Sequence, residues 1–249
     1  DNNKGHVRVY TYSLSTWTQL GFDILGDVVG DQLGYSVSFS ADGKKLAIGA
    51  PGNNGNVGAV RVLEFNEVTE EWTPITSIGN NIVSPVNDIR FGESVSLSAD
   101  GNIVAIGAPE YDGDKGIAYI YKSNGTTWND IYDVVGSGGS YFGESVSLSP
   151  SGKMVAIGGP GDNVTGGGLV QVYDIAADTQ IGNDIEGVHN YGQRVSLSAD
   201  GTTVAIGTPG PGVSDEKGYV RVYKYNSGIS DWMQIGLDIE GDVGTEFGK

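Results

Sequence analysis

The 249-residue chain has no cysteine, which excludes disulfides, thiolate metal centres and a cysteine nucleophile. Basic residues are scarce: 14 Lys and Arg stand against 31 Asp and Glu, for a formal charge of -17. A surface of that sign repels phosphate backbones and anionic headgroups, so nucleic acid is not an expected partner. No apolar run approaches the roughly eighteen residues of a membrane helix, so no membrane insertion is expected in this segment. The two histidines, His6 and His189, have no nucleophile or metal partner beside them in the sequence. There is no G-x-S-x-G elbow, and Gly166-Gly167-Gly168 lacks the lysine and helix of a phosphate loop. These absences lead to the expectation of a chain with no catalytic residues that is not an enzyme.

What is abundant is glycine, and it falls in a repeat. Residues 91–109, FGESVSLSADGNIVAIGAP, recur as LGYSVSFSADGKKLAIGAP from Leu33, FGESVSLSPSGKMVAIGGP from Phe142 and YGQRVSLSADGTTVAIGTP from Tyr191. A second segment recurs beside it: GHVRVYTY from Gly5, GAVRVLEF from Gly58, GIAYIYKS from Gly116, GLVQVYDI from Gly168 and GYVRVYKY from Gly218. The period is about fifty residues, and repeating units share one continuous core. One domain, 1–249, is therefore expected, with a half repeat at 1–32, repeats at 33–90, 91–141, 142–190 and 191–246, and the opening of another at 247–249.

Each period reads as four strands, A to D. In strand A, Val95 and Leu97 alternate with Ser94, Ser96 and Ser98, the pattern of a half-buried strand. Ala99-Asp100-Gly101 is a tight turn. In strand B, Ala105 and Gly107 alternate with Val104 and Ile106, and Pro109 ends the ladder because it has no N–H to donate. Strand C starts at Ile117, Asn124-Gly125 signals a hairpin, and strand D starts near Trp128. Four antiparallel strands at this period predict an all-β fold, a β-propeller of four-stranded blades. A face of Ser, Ala and Gly lying against a face of Val, Leu and Ile suits the crowded centre of such a ring.

Phe91-Gly92 opening strand A and Gly107-Ala108-Pro109 closing strand B, with their copies in the other repeats, resemble the FG-GAP repeat of integrin alpha-subunit propellers and their microbial and algal relatives. The resemblance spans nearly the whole chain and implies a propeller whose loop face engages ligand. Many members carry a D-x-N-x-D-G calcium loop between strands A and B. Here that hairpin is only Ser-Ala-Asp-Gly, or Ser-Pro-Ser-Gly in the third copy, so no metal is expected there. Five C and D strands but four complete A and B pairs lead to the expectation of four whole blades and a split one, part of a ring of about six to eight. The remaining strands would come from flanking sequence or another chain.

The hairpins between A and B are nearly alike, whereas the loops after each Pro differ in every copy. Rigid scaffolds present recognition through such loops. The expected ligand-binding residues are Asn53, Asn54, Asn56, Glu110, Tyr111, Asp112, Asp114, Asp162, Asn163, Asp215 and Glu216. Asp112 and Asp114 are the candidates for a cation such as calcium; otherwise no cofactor is expected. The recurrent Trp17, Trp72, Trp128 and Trp232 are expected to pack between blades rather than to stack on sugars. The functional expectation is an extracellular or cell-surface scaffold for adhesion or protein contact, the alternatives being a glycan-binding propeller or a structural subunit of a surface layer or appendage.

Overall fold

A computed structural model describes residues 3–75, 81–86, 89–161, 167–188, 190–209, 217–243 and 245–249. In each whole repeat the strands lie side by side in chain order, all antiparallel. The second repeat is the most regular: strand A is Ser94–Leu97, B is Ile103–Ala108, C is Ile117–Ser123 and D is Trp128–Val135. The first has Ser36–Phe39, Lys45–Ala50, Ala59–Asn66 and Glu71–Pro74; the third, Ser145–Leu148, Met154–Gly159, Gly167–Asp174 and Thr179–Gln180; the fourth, Arg194–Leu197, Thr203–Thr208, Lys217–Asn226 and Asp231–Gln234. The half repeat contributes only outer strands: Tyr10–Ser13 pairs with Thr16–Gln19, and His6–Val7 with Ile24–Leu25.

Local chemistry sets the A–B hairpin. Ser98 Oγ donates to Asp100 Oδ1 at 2.6 Å and accepts the Ile103 N–H at 2.9 Å, while Asp100 Oδ1 accepts the Asn102 N–H. The same bonds recur at Ser40 and Ser198. At the fourth repeat, the Ser198 hydroxyl and the Thr202 N–H lower the Asp200 carboxyl to about 2. Asp and Ser here do the turn-closing work that their short polar side chains do best.

The blades meet large face to small face. Ala105, Ala118 and Ile120 of the second repeat pack with Val155 and Ile157 of the third, and Ala156, Val170 and Val172 of the third pack with Val204 and Ile206 of the fourth. The strand-A serines cross the same boundary as hydrogen-bond partners. Ser38 Oγ accepts the Leu97 N–H, Ser96 Oγ that of Leu148 and Ser147 Oγ that of Leu197, at 2.9 to 3.0 Å. The glycine of each Phe-Gly completes the contact. Gly92, at φ 93°, turns its carbonyl to the Ser36 hydroxyl of the preceding blade at 2.8 Å, and directly against Gly49, where any side chain would collide with it. Phe91, Phe142 and Tyr191 beside these glycines are fully buried.

Strand D departs from the sequence expectation. Outside the second repeat it is broken, and a separate outer segment, such as Ile185–Val188 or Ile239–Val243, returns to the same strand C. A Gln-x-Gly-x-Asp clasp forms the break in three repeats: Gln19 Nε2 donates to Asp23, Gln180 to Asp184 and Gln234 to Asp238, at 2.7 to 2.8 Å. Strand C adds a second hold on the same carboxylate, bidentate from Arg8 and from Arg221. Among the described residues no helix is long and apolar enough to cross a membrane.

Candidate functional site

The loops after the Pro of strand B show a shared backbone device. Asn54, Gly55 and Asn56 are three successive left-handed residues (φ 53°, 70° and 72°), as are Asp112, Gly113 and Asp114 (48°, 67° and 66°). Asn and Asp accept this conformation more readily than other side-chain-bearing residues. The turn aims one carbonyl at the next D–A connector: Asn56 O accepts the N–H groups of Ile89 and Arg90, and Asp114 O accepts that of Tyr141. The loops and connectors expected to share a face are thus hydrogen-bonded to one another.

Several side chains of these loops are engaged as well, while Asn54 and Asn56 are exposed. Asn53 Nδ2 donates to the buried Asp31 at 3.0 Å, and Asp31 also accepts the N–H groups of Asp27 and Val28. Asp112 pairs with Lys115 at 2.6 Å, and Asp114 accepts from the Tyr141 hydroxyl at 3.2 Å. Tyr111 packs against the core between the first two repeats. Among the described residues no three His, Cys, Asp or Glu side chains gather as a metal site. Asp162, Asn163, Asp215, Glu216 and His189 lie outside the described residues.

Glu110 leads to a feature that the sequence reading missed. It lies 3.6 Å from Arg90 Nε, and Arg90 Nη2 holds Glu93 at 2.6 Å. Glu93 directly follows a Phe-Gly pair, and its counterparts are Tyr35, Glu144 and Gln193. The starts of the four A strands converge, so Tyr35, Glu93 and Glu144 line one cleft of about 240 Å³, to which the fourth repeat contributes Arg194 and Val195 rather than Gln193. The signal was present: this position reads Tyr, Glu, Glu and Gln, and the next Ser, Ser, Ser and Arg, within a largely repeated strand opening. Repetition of the surrounding residues had marked the whole strand as scaffold.

The cleft is electrostatically uneven. Burial, and then the neighbouring Glu93, push the Glu144 carboxyl up to about 7; Arg194, 3.7 Å away at Oε1, only partly offsets them. Burial and a hydrogen bond to Glu93 push the Tyr35 phenol up to about 12. Near neutrality, then, the cleft offers a carboxyl that exchanges its proton, a phenol that keeps its own, a carboxylate held by Arg90 and the guanidinium of Arg194. That set can give and take hydrogen bonds, or move a proton.

Trp72, Trp128 and Trp232 pack between blades as expected, whereas Trp17, expected to do the same, is 67% exposed because no described repeat lies against that face. Trp72 Nε1 donates to Leu20 O at 3.0 Å in the preceding repeat, and Trp232 Nε1 to Ile181 O at 2.6 Å.

No protein-family model matches the chain, and no curated protein matches it. Solved structures do. Similar to it are a "putative 6-phosphogluconolactonase" of Bacteroides fragilis (14% identity, TM-score 0.64, covering 96% of this chain and 66% of that one) and hydrazine synthase of Kuenenia stuttgartiensis (14%, 0.60, 96% and 62%). TolB of Acinetobacter baumannii is also similar (15%, 0.51, 98% and 53%). The chain has the β-propeller fold. It spans less than two thirds of the length of these proteins. At such identities the likeness establishes the architecture alone. It also corrects the expectation that the chain is not an enzyme, because chains described as lactonases share this propeller. Missing local motifs do not exclude catalysis in this fold, because a propeller assembles polar groups from several blades and no local spacing records them.

Proposed function

We propose that this chain is a binding propeller of the FG-GAP-repeat type, extracellular or on the cell surface, that engages a protein ligand through its B–C loops and D–A connectors. The observation that carries this reading is the tie between variable loop and connector. Asn56 O and Asp114 O each accept from the following connector, so the segments that differ between repeats are held rigidly. Preorganised loops lose less entropy on binding. The axial cleft lies at the end of the blades where the connectors enter strand A, which makes Glu93 and Glu144 part of the same face. A glycan ligand is the alternative within this reading.

The test is binding to panels of purified matrix proteins and of glycans, with residues 110–115 replaced by a Gly-Ser linker in one variant and residues 99–102, on the opposite end of the blade, replaced in another. Loss in the first variant alone supports the proposal, and the panel that responds decides between protein and glycan. Equal loss in both variants, or no binding to either panel, rejects it.

A second reading rests on Glu144. A carboxyl that titrates near neutrality beside a paired carboxylate suits general acid–base catalysis. Hydrolysis of 6-phosphogluconolactone, assayed from pH 5 to 9 against Glu144→Gln, tests it: turnover above the buffer rate that the substitution abolishes supports catalysis, and no turnover rejects it for this substrate.

A further inference from the structure

The turn between strands C and D of the second repeat carries the triplet Asn124-Gly125-Thr126, the acceptor pattern for an N-linked glycan. All three residues are exposed. Asn124 Oδ1 accepts the Thr126 N–H at 3.0 Å, the Thr126 hydroxyl at 3.0 Å and the Thr127 N–H at 2.9 Å. Its Nδ2 makes no hydrogen bond among the described residues, so the amide is anchored through its oxygen and its nitrogen is left accessible. Drawing electron density to the oxygen also makes the N–H groups more acidic. The other such triplet, Asn163-Val164-Thr165, lies outside the described residues.

The turn itself does not require the hydroxyl. A short Asn or Asp opens the C–D turn of the other whole repeats too: Asn66 Oδ1 accepts the Val68 and Thr69 N–H groups, Asp174 Oδ1 those of Ala176 and Ala177, and Asn226 Oδ1 that of Gly228. Where the second repeat has Thr126, these turns have Val68, Ala176 and Gly228, none with a hydroxyl. The second repeat is also the one whose outer strand is unbroken. Trp128–Val135 runs for 8 residues with a partner strand on one side only, and Ile131 and Val135 on it are exposed. Such an edge is a template for pairing with another chain. Asn124 stands at its head. The Ser123 N–H donates to Asn102 O at 2.8 Å, which puts this turn beside the A–B hairpin, at the opposite end of the blade from the B–C loops.

We propose that Asn124 is the acceptor of an N-linked glycan that shields the edge of strand D and leaves the loop face clear. In the transfer, Asn124 Nδ2 bonds to the anomeric carbon of a lipid-linked oligosaccharide diphosphate, the bond from that carbon to the diphosphate oxygen breaks, and a proton leaves the nitrogen; nothing is oxidised or reduced. The proposal rests on the extracellular reading above, because such a donor is met on the way to the cell surface.

Expression behind a secretion signal in a eukaryotic cell, with site-resolved mass spectrometry of the Asn124 peptide from both medium and cell lysate, tests this. The native chain is expected to carry a glycan at Asn124. Asn124→Asp and Thr126→Ala are expected to abolish it and still fold, since Asp174 and Ala176 fill those places in the third repeat's turn. Thr126→Ser is expected to retain it. A bare Asn124 in both fractions, or a glycan there undiminished by Thr126→Ala, overturns the assignment. Asn124→Asp is expected to scatter more light at high concentration than the native chain, and equal scattering overturns the shielding role. Ligand panels are read on the same preparations: a bare Asn124 with binding retained rejects this site alone, and a glycosylated chain that binds no panel rejects the binding reading alone.

Discussion

Ser96 Oγ accepts the backbone N–H of Leu148 at 2.9 Å, joining the innermost strands of two neighbouring blades. A serine that a motif search treats as a spare nucleophile is thus an inter-blade acceptor for a donor within the sheet. Ser96→Ala leaves that N–H without a partner beside a buried Leu148. The expected loss is about 1–3 kcal/mol, the cost of an unsatisfied buried donor. Denaturant unfolding of the variant measures it; a change within experimental error would show that the bond adds nothing.

Gly107→Ala tests close approach rather than hydrogen bonding. The new methyl group would overlap the carbonyl oxygen of Gly143 in the next blade, where backbone meets backbone and no side chain can swing away. A loss of about 3 kcal/mol or more is expected, at or above the upper end for an overpacked core. Gly138→Ala, where the same group meets nothing within 4 Å, is the matched control and is expected to change the thermal midpoint little.

Glu144 makes stability depend on pH. Its carboxyl is raised from the ordinary 4.5 to about 7, so across that window the folded chain binds more protons than the unfolded one. Its contribution is therefore complete below about pH 4.5 and falls as pH rises to about 7, by at most ~3 kcal/mol. Glu144→Gln, which stays neutral, is expected to flatten this part of the curve. Unfolding free energies of both proteins from pH 4.5 to 7.5 check the sign; a native chain that gains stability relative to the variant over that range contradicts it.

Arg61 joins the half repeat to the first whole repeat. Its guanidinium is mostly buried and reaches Asp27 at 2.6 Å, Leu25 O at 2.8 Å and Asn81 Oδ1 at 3.0 Å. Arg61→Lys keeps the charge but replaces the three guanidinium nitrogens that reach these separate acceptors with a single ammonium nitrogen. It is expected to cost about 1–3 kcal/mol, and hydrogen exchange should quicken first in the half repeat. Uniform quickening across all repeats would count against a local role.

Strand type, hairpin chemistry and the large-to-small matching of blades were legible in the sequence because each depends on residues close in the chain, at a period of two or in a four-residue turn. Ser98, Asp100 and Gly101 close their turn through bonds that span no more than five residues. The position of Pro109 and the four copies of the strand pair then led to the propeller. What only the tertiary structure decided is which groups from different blades meet. Tyr35, Glu93 and Glu144 lie about fifty residues apart and converge because strand A of every blade begins at the axis. The proton affinity of Glu144 arises from that convergence and from burial, neither of which sequence spacing records. The broken outer strand was missed for a related reason: Gln19 and Asp23 look like surface residues until the fold brings Arg8 to the same carboxylate.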